Sequence, residues 1–456
     1  MKIMIGLESH IQLENCKSKL FCSCPTYGSE VPNTRTCPTC LGLPGAKPAT
    51  NKEALTEALK VALSLNCKIN KSFFFSRKTY FYNDLPNSYQ ITQYELPLSI
   101  NGKLENIRIK RIHLEEDPGK LIHENNYTLI DYNRSGTPLI EVVTEPDFNS
   151  PEQVRTFLQK LTRILEYLGV YTRKSEASLR TDANVSIDNN PRVEIKNITG
   201  IIEVIKALEY EIQRQIKVIN SKEKIEQHTR IWDPITKTTS LVRTKETEED
   251  YGYITDPNLT KIELTEKQIE EIKSSLPELA EEKAKRFIKQ YKIKQEDAKV
   301  ITSDIQLANL FEKVAKKADY NLTARWFVRE IPRILNYNKI TLEEWKITEK
   351  ELTELLDLLQ NNKITETTAQ KILEELSKNI FSPKEYVTKQ NLELISSSSD
   401  IEKICDETIK ENNKAVQDYK SGNKIALNFI FGKVMKKSKG TADPYKVKEI
   451  LSRKLS

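Results

Sequence analysis

Four short stretches of this sequence place acidic, histidine and arginine side chains at every second position. Successive side chains of a β-strand point to opposite faces, so residues two apart share a face. Read as a strand, each stretch has a polar face of mixed charge and an apolar face. The polar residues are Glu8, His10 and Gln12; Arg111, His113 and Glu115; Arg180, Asp182 and Asn184; and Arg192, Glu194 and Lys196.

An ordinary sheet with one solvent-facing side produces the same alternation, and a single such strand would favour that interpretation. Four of them, rich in Glu, Asp, His and Arg, favour a concave acidic sheet face instead. Carboxylate oxygens suit Mg²⁺ bound together with ATP phosphates, and arginines can neutralise a transferring phosphoryl group. The pattern therefore predicts phosphoryl-transfer chemistry, with a structural network of ion pairs across the sheet as the alternative.

Four cysteines form two close pairs, with C-x-C spacing at Cys22 and Cys24 and C-x₂-C spacing at Cys37 and Cys40. Four thiolates from two tight turns can close tetrahedrally on Zn²⁺, and a site with four sulfur ligands has no open position for catalysis. The alternative is four small buried side chains. Turns this short bury thiols poorly without a metal, which favours structural zinc. The remaining cysteines, interpreted as ordinary thiols, are Cys16, Cys67 and Cys405.

Several common catalytic motifs are absent from the sequence. There is no G-x-x-x-x-G-K-[ST] loop and no G-x-G-x-x-G after a strand, which disfavours P-loop and Rossmann domains. There is also no G-x-S-x-G and no evident Ser-Lys or Cys-His pair. The chain is therefore not expected to cleave amides or to generate ammonia by itself.

Three amphipathic helices are predicted to support these strands. A capping box at Ser150 and Gln153 predicts a helix over Pro151–Leu168 that ends at Gly169. A second helix is expected from Thr50, as its N-cap, to about Leu65, and a third from Ile201 to about Ile219. Their apolar stripes are typical of core packing rather than of function.

Length and composition predict a globular chain of about three domains, at roughly 150 residues each. The 456 residues are 38% hydrophobic, which is enough for real cores, and no apolar run approaches the ~20 residues of a membrane-spanning helix. No secretory signal is evident, so the expected location is the cytoplasm, or an organelle after processing. We expect an α+β chain with a catalytic domain at 1–285, a helical domain at 286–398 and a basic helical tail at 399–456.

The excess positive charge lies at the end of the chain. The whole chain has a net charge of +6, and residues 401–456 alone carry 13 basic and 7 acidic residues, which also nets +6. A solvated lysine-rich end is one explanation of this charge. A tail that binds the phosphate backbone of a nucleic acid is the other.

Several longer motifs resemble a known family. They are IGLESHIQL at 5–13, SKLFC at 18–22, CPTCLGLPG at 37–45, RKTYFY at 77–82, RIHLEEDPGK at 111–120, DYNRSGTPLIE at 131–141, SLRTDANVS at 178–186 and VEIKN at 193–197. Together they resemble the B subunit of the aspartyl/glutamyl-tRNA amidotransferases over nearly the whole chain, less closely between about 260 and 400. The sequence departs from the family at Ser9, where an apolar residue is usual, and in the drifted segment 250–259.

The resemblance implies a fold and a reaction. It implies a catalytic domain like the glutamine synthetase/guanido kinase fold with an inserted zinc-binding loop, then an all-α domain and a small helical tail. It implies that ATP phosphorylates the side-chain carboxylate of Glu-tRNA(Gln) or Asp-tRNA(Asn), and that ammonia then displaces phosphate. The ammonia would come from an amidase-signature A subunit, with a small C subunit completing a heterotrimer.

The resemblance also implies roles for individual residues. The implied Mg²⁺ ligands are Glu8, His10, Glu116 and Glu141, with Glu115 behind them. The implied ATP or phosphoryl contacts are Arg180, Asp182, Asn184 and Lys196. The charge of the tail predicts that it contacts the tRNA backbone through Lys433, Lys436, Lys437 and Lys439. Strand alternation by itself places Glu115, not Glu116, on the face of His113, so only a swing of the following turn would bring Glu116 inward.

Two other functions remain open on the sequence. A glutamine-synthetase-like ligase acting on a free small molecule would use the same sheet face but would have no use for the basic tail. A non-catalytic tRNA-binding module would use the tail, whereas Glu116 and Glu141 would be dispensable to it.

Overall fold

The computed structural model describes residues 1–13, 15–172, 179–244, 252–395, 397–421 and 423–455. Residues 178, 250 and 251, which belong to the motifs discussed above, lie outside this part of the chain. The chain divides into two compact units, Met1–Leu279 and Ala280–Ser456. The first unit ends a few residues before the predicted boundary at 285, and the further division at 398 stays a prediction.

The first unit mixes strands and helices. In chain order its elements are β1 (Ile3–Gln12), α1 (Lys52–Ser64), β2 (Lys68–Ile69), β3 (Ser72–Phe73), β4 (Ser76–Thr79), β5 (Tyr89–Thr92), β6 (Ser99–Leu104), β7 (Ile107–Glu116), β8 (Lys120–His123), β9 (Thr128–Asp131), β10 (Pro138–Thr144), α2 (Pro151–Leu168), β11 (Leu179–Ile187), β12 (Val193–Thr199), α3 (Ile201–Asn220), β13 (His228–Asp233), β14 (Thr238–Thr244), β15 (Gly252–Thr255), β16 (Ile262–Glu263) and α4 (Glu266–Ser274).

One large sheet organises this unit. Among the described residues it has nine strands in the order β14-β13-β12-β11-β1-β10-β7-β6-β2. Neighbouring strands are antiparallel except β12 and β13, which are parallel and are joined through α3. A parallel pair needs such a crossover, because a short turn cannot return the chain to the same end of the sheet. A smaller sheet, β15-β4-β5, belongs to the same unit.

The apolar side of the large sheet forms the core with α1, α2 and α3. Ile5, Leu7 and Ile11 of β1 are at most 1% exposed and belong to the same buried cluster as the apolar stripes of the helices. Ser9 lies among these core-facing residues, 1% exposed, and its Oγ is 3.4 Å from the Oγ1 of Thr181. The opposite side of the sheet is thereby left to the polar residues of each strand.

The helix predictions hold in most details. α2 runs over Pro151–Leu168, the side chain of Ser150 caps it, and Gly169 ends it with a φ of 73°. The side chain of Gln153 accepts from the backbone N–H of Asn149 rather than from that of Ser150, so the predicted reciprocal capping box is not formed. α3 begins at Ile201, as expected.

The start of α1 was predicted incorrectly. The N-cap is Asn51, not Thr50, because the Asn51 side-chain oxygen accepts from the backbone N–H groups of Glu53 and Ala54 at 2.8 and 3.2 Å. A short amide side chain reaches the first free N–H groups of a helix as well as a hydroxyl does.

A β-bulge interrupts the pairing of β7 with β10. Arg111 pairs with Val143 whereas Ile109 pairs with Thr144, so Lys110 is an extra residue in β7. A bulge changes which side of the sheet the following residues face. Here it lets the isoleucines on both sides of the bulge stay buried while Arg111 faces the polar side.

The second unit is helical in its described residues. Its elements are α5 (Ala280–Tyr291), α6 (Gln295–Ile301), α7 (Ile305–Ala315), α8 (Tyr320–Asn338), α9 (Leu342–Trp345), α10 (Glu349–Gln360), α11 (Glu366–Leu376), α12 (Pro383–Gln390), α13 (Ser398–Glu411), α14 (Asn413–Lys420), α15 (Ile425–Lys437) and α16 (Pro444–Leu455). They enclose two apolar clusters, one around Phe311 and Phe327 and one around Ile430 and Val434. No described helix has both the length and the apolar character needed to cross a membrane.

Candidate active site

The polar side of the large sheet is the floor of a cleft of about 1100 Å³. Residues of β1, β7, β10, β11 and β12 line the floor, and the small sheet contributes residues such as Lys78, Thr92 and Tyr253. The four predicted polar strand faces therefore meet in one place. A concave surface of this size accommodates a nucleotide or a comparable ligand.

Strand register aligns four ionisable or charged side chains in a row across this floor. His10 of β1 pairs with Glu141 of β10 on one side and with Arg180 of β11 on the other. Glu141 pairs in turn with His113 of β7. Directly opposed residues on one face of a sheet have Cβ atoms about 5 Å apart, so their side chains interact.

Three residues in and beside this row could hold a metal ion. One ligand atom from each of His10, Glu115 and Glu141 lies within 4.8 Å of the others. The Nε2 of His10 is 3.7 Å from a carboxylate oxygen of Glu115 and 3.7 Å from one of Glu141. The Nε2 of His113 is 3.0 Å from Glu141 Oε2. The two carboxylates are oxygen donors that fit Mg²⁺ or Mn²⁺, and the imidazole would be a third ligand.

Glu115 belongs to this group, and Glu116 does not. The hydroxyl of Thr92 donates to Glu115 Oε2 at 3.2 Å. Glu116 instead accepts from the backbone N–H of Ile91 at 2.9 Å and lines a separate cavity of about 30 Å³ beside Cys40. Strand β7 continues through Glu116, so the side chain of Glu116 points away from the face that carries His113 and Glu115, and the turn that follows does not bring it inward. Burial raises the pKa of Glu116 to about 7.

Glu8 lies two residues before His10 on the same face, outside the group of three. Its carboxylate accepts from Asn184 Nδ2 at 3.0 Å. Burial raises the pKa of Glu8, and the carboxylates of Glu141, Glu194 and Asp182 raise it further. Lys196 lowers this pKa, but burial and the three carboxylates outweigh its single positive charge.

The two histidines favour the ionised form of Glu141. Burial on its own would raise the pKa of Glu141, but His113 and His10 hold it well below its usual range. Burial on its own would lower the pKa of His10, but Glu141 and Glu115 raise it. The cleft floor thus favours an anionic carboxylate at the position where a divalent cation would bind.

Arg180 is held by another residue of the chain. Its Nη2 donates to Asp117 Oδ1 at 2.6 Å. Asp117 is fully buried, accepts also from Gln12, and lies 3.6 Å from the Nε of Arg134. This is the ion-pair arrangement that the sequence left open as an alternative for Arg180.

The other predicted phosphoryl contacts line the cleft and are also paired. Lys196 Nζ is 3.5 Å from an oxygen of Asp182 and 3.7 Å from one of Glu194. Asn184 donates to Glu8, as described above. Their position is compatible with contacts to ATP, and that role stays a prediction.

The four paired cysteines converge. The sulfur atoms of Cys22, Cys24, Cys37 and Cys40 all lie within 4.8 Å of one another, and those of Cys24 and Cys40 are 4.0 Å apart. Four sulfurs bound at about 2.3 Å to one zinc would be about 3.8 Å apart, so the spacing fits. The Nζ of fully buried Lys19 is 3.5 Å from Cys40 Sγ. Hydrogen bonding from Cys22, aided by Lys19, lowers the pKa of the Cys40 thiol.

The four tail lysines differ in their surroundings. Lys433 and Lys436 lie on the exposed surface of α15, with Lys433 Nζ 5.2 Å from the ring centroid of Phe429. Lys437 is paired with Glu407 and Glu411, each at 2.8 Å. Lys439 is exposed just after α15.

Sequence reasoning missed an aromatic arrangement above the cleft floor. The rings of Tyr94 and Tyr253 stack with centroids 4.0 Å apart and planes at 16°. The guanidinium of Arg111 lies 5.7 Å from the Tyr94 centroid. Tyr253 belongs to the segment that has drifted from the family pattern, and strand β15 is too short to show an alternation.

The bulge that orients Arg111 was also missed. The three-residue spacing of Ile109 and Ile112, which are both buried, was the signal in the sequence that could have predicted it.

Comparison with known proteins matches both units of the chain. The sequence profile of the GatB/GatE catalytic domain matches residues 3–270, and that of the GatB domain matches residues 309–455. The chain is 43% identical to a protein of Thermotoga petrophila over 475 aligned positions, which cover 99% of this chain and 98% of that protein. It is 42% identical to proteins of Methanothermobacter thermautotrophicus and Thermoanaerobacter pseudethanolicus, with 99% of each chain covered.

All three relatives are named as the B subunit of an aspartyl/glutamyl-tRNA(Asn/Gln) amidotransferase. The matches span the cleft, the cysteine loop and the basic tail. This chain therefore belongs to the B-subunit family of the aspartyl/glutamyl-tRNA(Asn/Gln) amidotransferases.

Proposed function

We propose that this chain is the ATP-using subunit of a tRNA-dependent amidotransferase. Its substrate is the side-chain carboxylate of Glu-tRNA(Gln), of Asp-tRNA(Asn) or of both. The observation that carries the proposal is the convergence of His10, Glu115 and Glu141 on the floor of a large cleft, in a chain of this family. The catalytic domain is proposed to have the glutamine synthetase/guanido kinase-like fold, which a mainly antiparallel sheet with helices on one side supports.

The reaction has two balanced steps. An oxygen of the substrate carboxylate attacks the γ-phosphorus of ATP, the bond to the bridging oxygen breaks, and its electron pair leaves with ADP. Ammonia then attacks the carbonyl carbon of the acyl phosphate and gives up one proton, and phosphate leaves to form the amide. A carboxylate has no good leaving group, so the first step makes the second possible.

His10, Glu115 and Glu141 are the residues that would hold Mg²⁺, with Glu8 next to them on β1. Bound there, Mg²⁺ would neutralise phosphate oxygens of ATP. Arg180, Asp182, Asn184 and Lys196 line the adjoining floor and are proposed to contact the nucleotide or the phosphoryl group. Residues of the small sheet also line the cleft. An enclosed site would protect the acyl phosphate, which water would hydrolyse.

The source of ammonia is proposed to be a partner. The sequence carries no evident amidase nucleophile, so an amidase-signature A subunit, with a small C subunit, would complete the enzyme. A ligase for a free small molecule is the competing function. It is disfavoured by the basic tail, which such an enzyme would not need.

The first prediction tests the carboxylate at the centre of the site. In the complex with its amidase and small subunits, Glu141→Gln should lower ATP-dependent formation of Gln-tRNA at least about 100-fold, because it removes an anionic metal ligand. Ammonium chloride serves as the nitrogen source, so that glutamine hydrolysis is bypassed. Binding of Glu-tRNA(Gln) should stay within about twofold of the unmodified enzyme.

The control is Glu270→Gln, on the exposed surface of α4 in the same unit, which should keep full activity. Full activity of Glu141→Gln would contradict catalysis at this site. Unmodified complex that binds Glu-tRNA(Gln) but forms no product would favour the non-catalytic tRNA-binding function.

The second prediction concerns zinc. Protein purified without chelators should contain one zinc per chain, and Cys24→Ser or Cys37→Ser should lose it, because three sulfur ligands hold the ion much less tightly. Elemental analysis measures the content. Cys405→Ser, in the helical tail, should retain zinc. Metal-free wild-type protein with unchanged thermal stability would refute the zinc site.

The third prediction concerns the basic tail. Replacing Lys433 and Lys436 with Glu should weaken tRNA binding by the assembled enzyme. The slope of log K against log salt concentration should become less steep by about 1.5, because each lost phosphate contact removes about 0.7–0.9 from it. Lys437→Glu should change this slope less, because Lys437 is already paired within the tail. Filter binding of tRNA over a salt series gives the slope. An unchanged slope in the double variant would place the tail away from tRNA.

A further inference from the structure

Arg111 reaches the cleft from β7, two residues before His113. Its Nε is buried, and within the described part of the chain it has no hydrogen-bond partner. Arg180, which is also proposed to contact the nucleotide, already has an acceptor in the buried carboxylate of Asp117 at 2.6 Å. A buried guanidinium N–H without a partner costs free energy unless a ligand supplies the acceptor. Arg111 already acts on Glu141, whose pKa its charge lowers, but of these two arginines it is the one with a buried N–H that lacks an acceptor among the described residues.

Arg111 lies over one ring of the aromatic pair. Its guanidinium carbon is 5.7 Å from the ring centroid of Tyr94, and Tyr94 is stacked in turn on Tyr253 at 4.0 Å. An arginine against an aromatic ring keeps its N–H groups in the guanidinium plane available for hydrogen bonds. Planar paired N–H donors match the oxygens of a phosphoryl group. The stack can therefore hold an arginine in place without using the N–H groups that would bind phosphate.

The bulge at Lys110 places Arg111 where charge is needed. Arg111 pairs with Val143 and lies beside the row that contains Glu141 and His113. A transferring phosphoryl group carries negative charge on three oxygens and would approach a floor that is itself acidic. A fixed cation on that floor lowers the repulsion most when the group is between donor and acceptor.

We propose that Arg111 binds the transferring γ-phosphoryl group, and that Tyr94 and Tyr253 are positioning residues for Arg111. The proposal rests on the function proposed above and assigns one of its contacts. As the bond to ADP breaks, its electron pair goes to ADP, and the substrate carboxylate oxygen forms the new bond to phosphorus. Arg111 keeps all its protons and supplies positive charge through its N–H groups.

The test compares two nucleotides that differ in the γ-phosphoryl group. With the assembled enzyme and Mg²⁺, calorimetry measures the affinity for ADP and for the non-hydrolysable imido analogue of ATP. Arg111→Ala should weaken the analogue about 10–100-fold, the effect of losing a charged hydrogen bond, and leave ADP within about twofold. Arg108→Ala is the matched control on the same strand, because Arg108 is exposed and paired with Asp147 at 2.6 Å.

Equal weakening of both nucleotides, or of neither, would overturn the assignment of Arg111. Chemical rescue gives a second readout. Added guanidinium ion should partly restore the amidation rate of Arg111→Ala at low millimolar concentration and should not change that of Arg108→Ala. No rescue, together with unchanged affinity for the analogue, would make Arg111 a structural residue only.

The role of the stack is tested at Tyr253. Tyr253→Leu should lower kcat about tenfold or more while KM for Glu-tRNA stays within about twofold, because a misplaced arginine acts mainly in the transition state. Tyr253→Phe should restore kcat, because stacking needs the ring and not the hydroxyl. Equal loss in both variants, or no loss in either, would overturn the positioning role.

Failure of this inference differs from failure of the proposed function. Suppose that the unmodified complex forms Gln-tRNA with ATP, and that Arg111→Ala prefers the ATP analogue over ADP as strongly as the unmodified complex does. In that case only the inference fails. If the unmodified complex forms no product with ATP, the proposed function fails, and the nucleotide affinities still decide whether Arg111 contacts the γ-phosphoryl group.

Discussion

Strand register brings several carboxylates together on the cleft side of the large sheet. The rest of the structure depends on this constraint. Register sets Glu8 opposite Asp182, and the carboxylates of Glu141 and Glu194 lie close enough to raise its pKa as well. Two unit charges 4 Å apart interact by about 4 kcal/mol at an effective dielectric constant of 20, so several carboxylates on one face repel strongly. A slip of one residue would remove the repulsion but would turn the apolar face of each strand into the cleft. The hydrophobic core thus holds an acidic surface that a bound cation would stabilise.

The core and the site are two sides of the same strands. Ile5, Leu7 and Ile11 pack against the helices, while Glu8 and His10 between them face the cleft. The bulge in β7 makes the same division possible on a second strand. Without the extra residue, an apolar side chain on one side of the bulge would leave the core. Stability and chemistry are therefore coupled through the period of two along each strand.

The elements with a strong local signal could be predicted from the sequence. The α2 helix has a capping serine, a proline in its first turn, a full apolar stripe and a terminal glycine, and it forms where predicted. The polar strand faces follow from alternation, which also predicts that Glu115 shares the face of His113, where the structure has it. The expectation for Glu116 relied on resemblance instead, and the geometry does not place this residue in the cleft.

Features that depend on distant partners could not be predicted. The binding of Arg180 to Asp117 joins residues 63 positions apart. The stack of Tyr94 on Tyr253 joins β15 to a residue just after β5, and neither segment has a periodicity that marks the contact. Asn51 replaced Thr50 as a cap because both residues are good caps and only the chain path decides between them.

The proposed chemistry depends on a divalent cation bound among His10, Glu115 and Glu141. Crystals of the assembled enzyme grown with Mn²⁺ and collected at the manganese absorption edge would test it directly. We expect an anomalous peak within bonding distance of these three side chains, and its loss in Glu141→Gln. A peak at Glu116 instead, or no peak in the cleft at millimolar Mn²⁺, would show that these three side chains do not form the metal site.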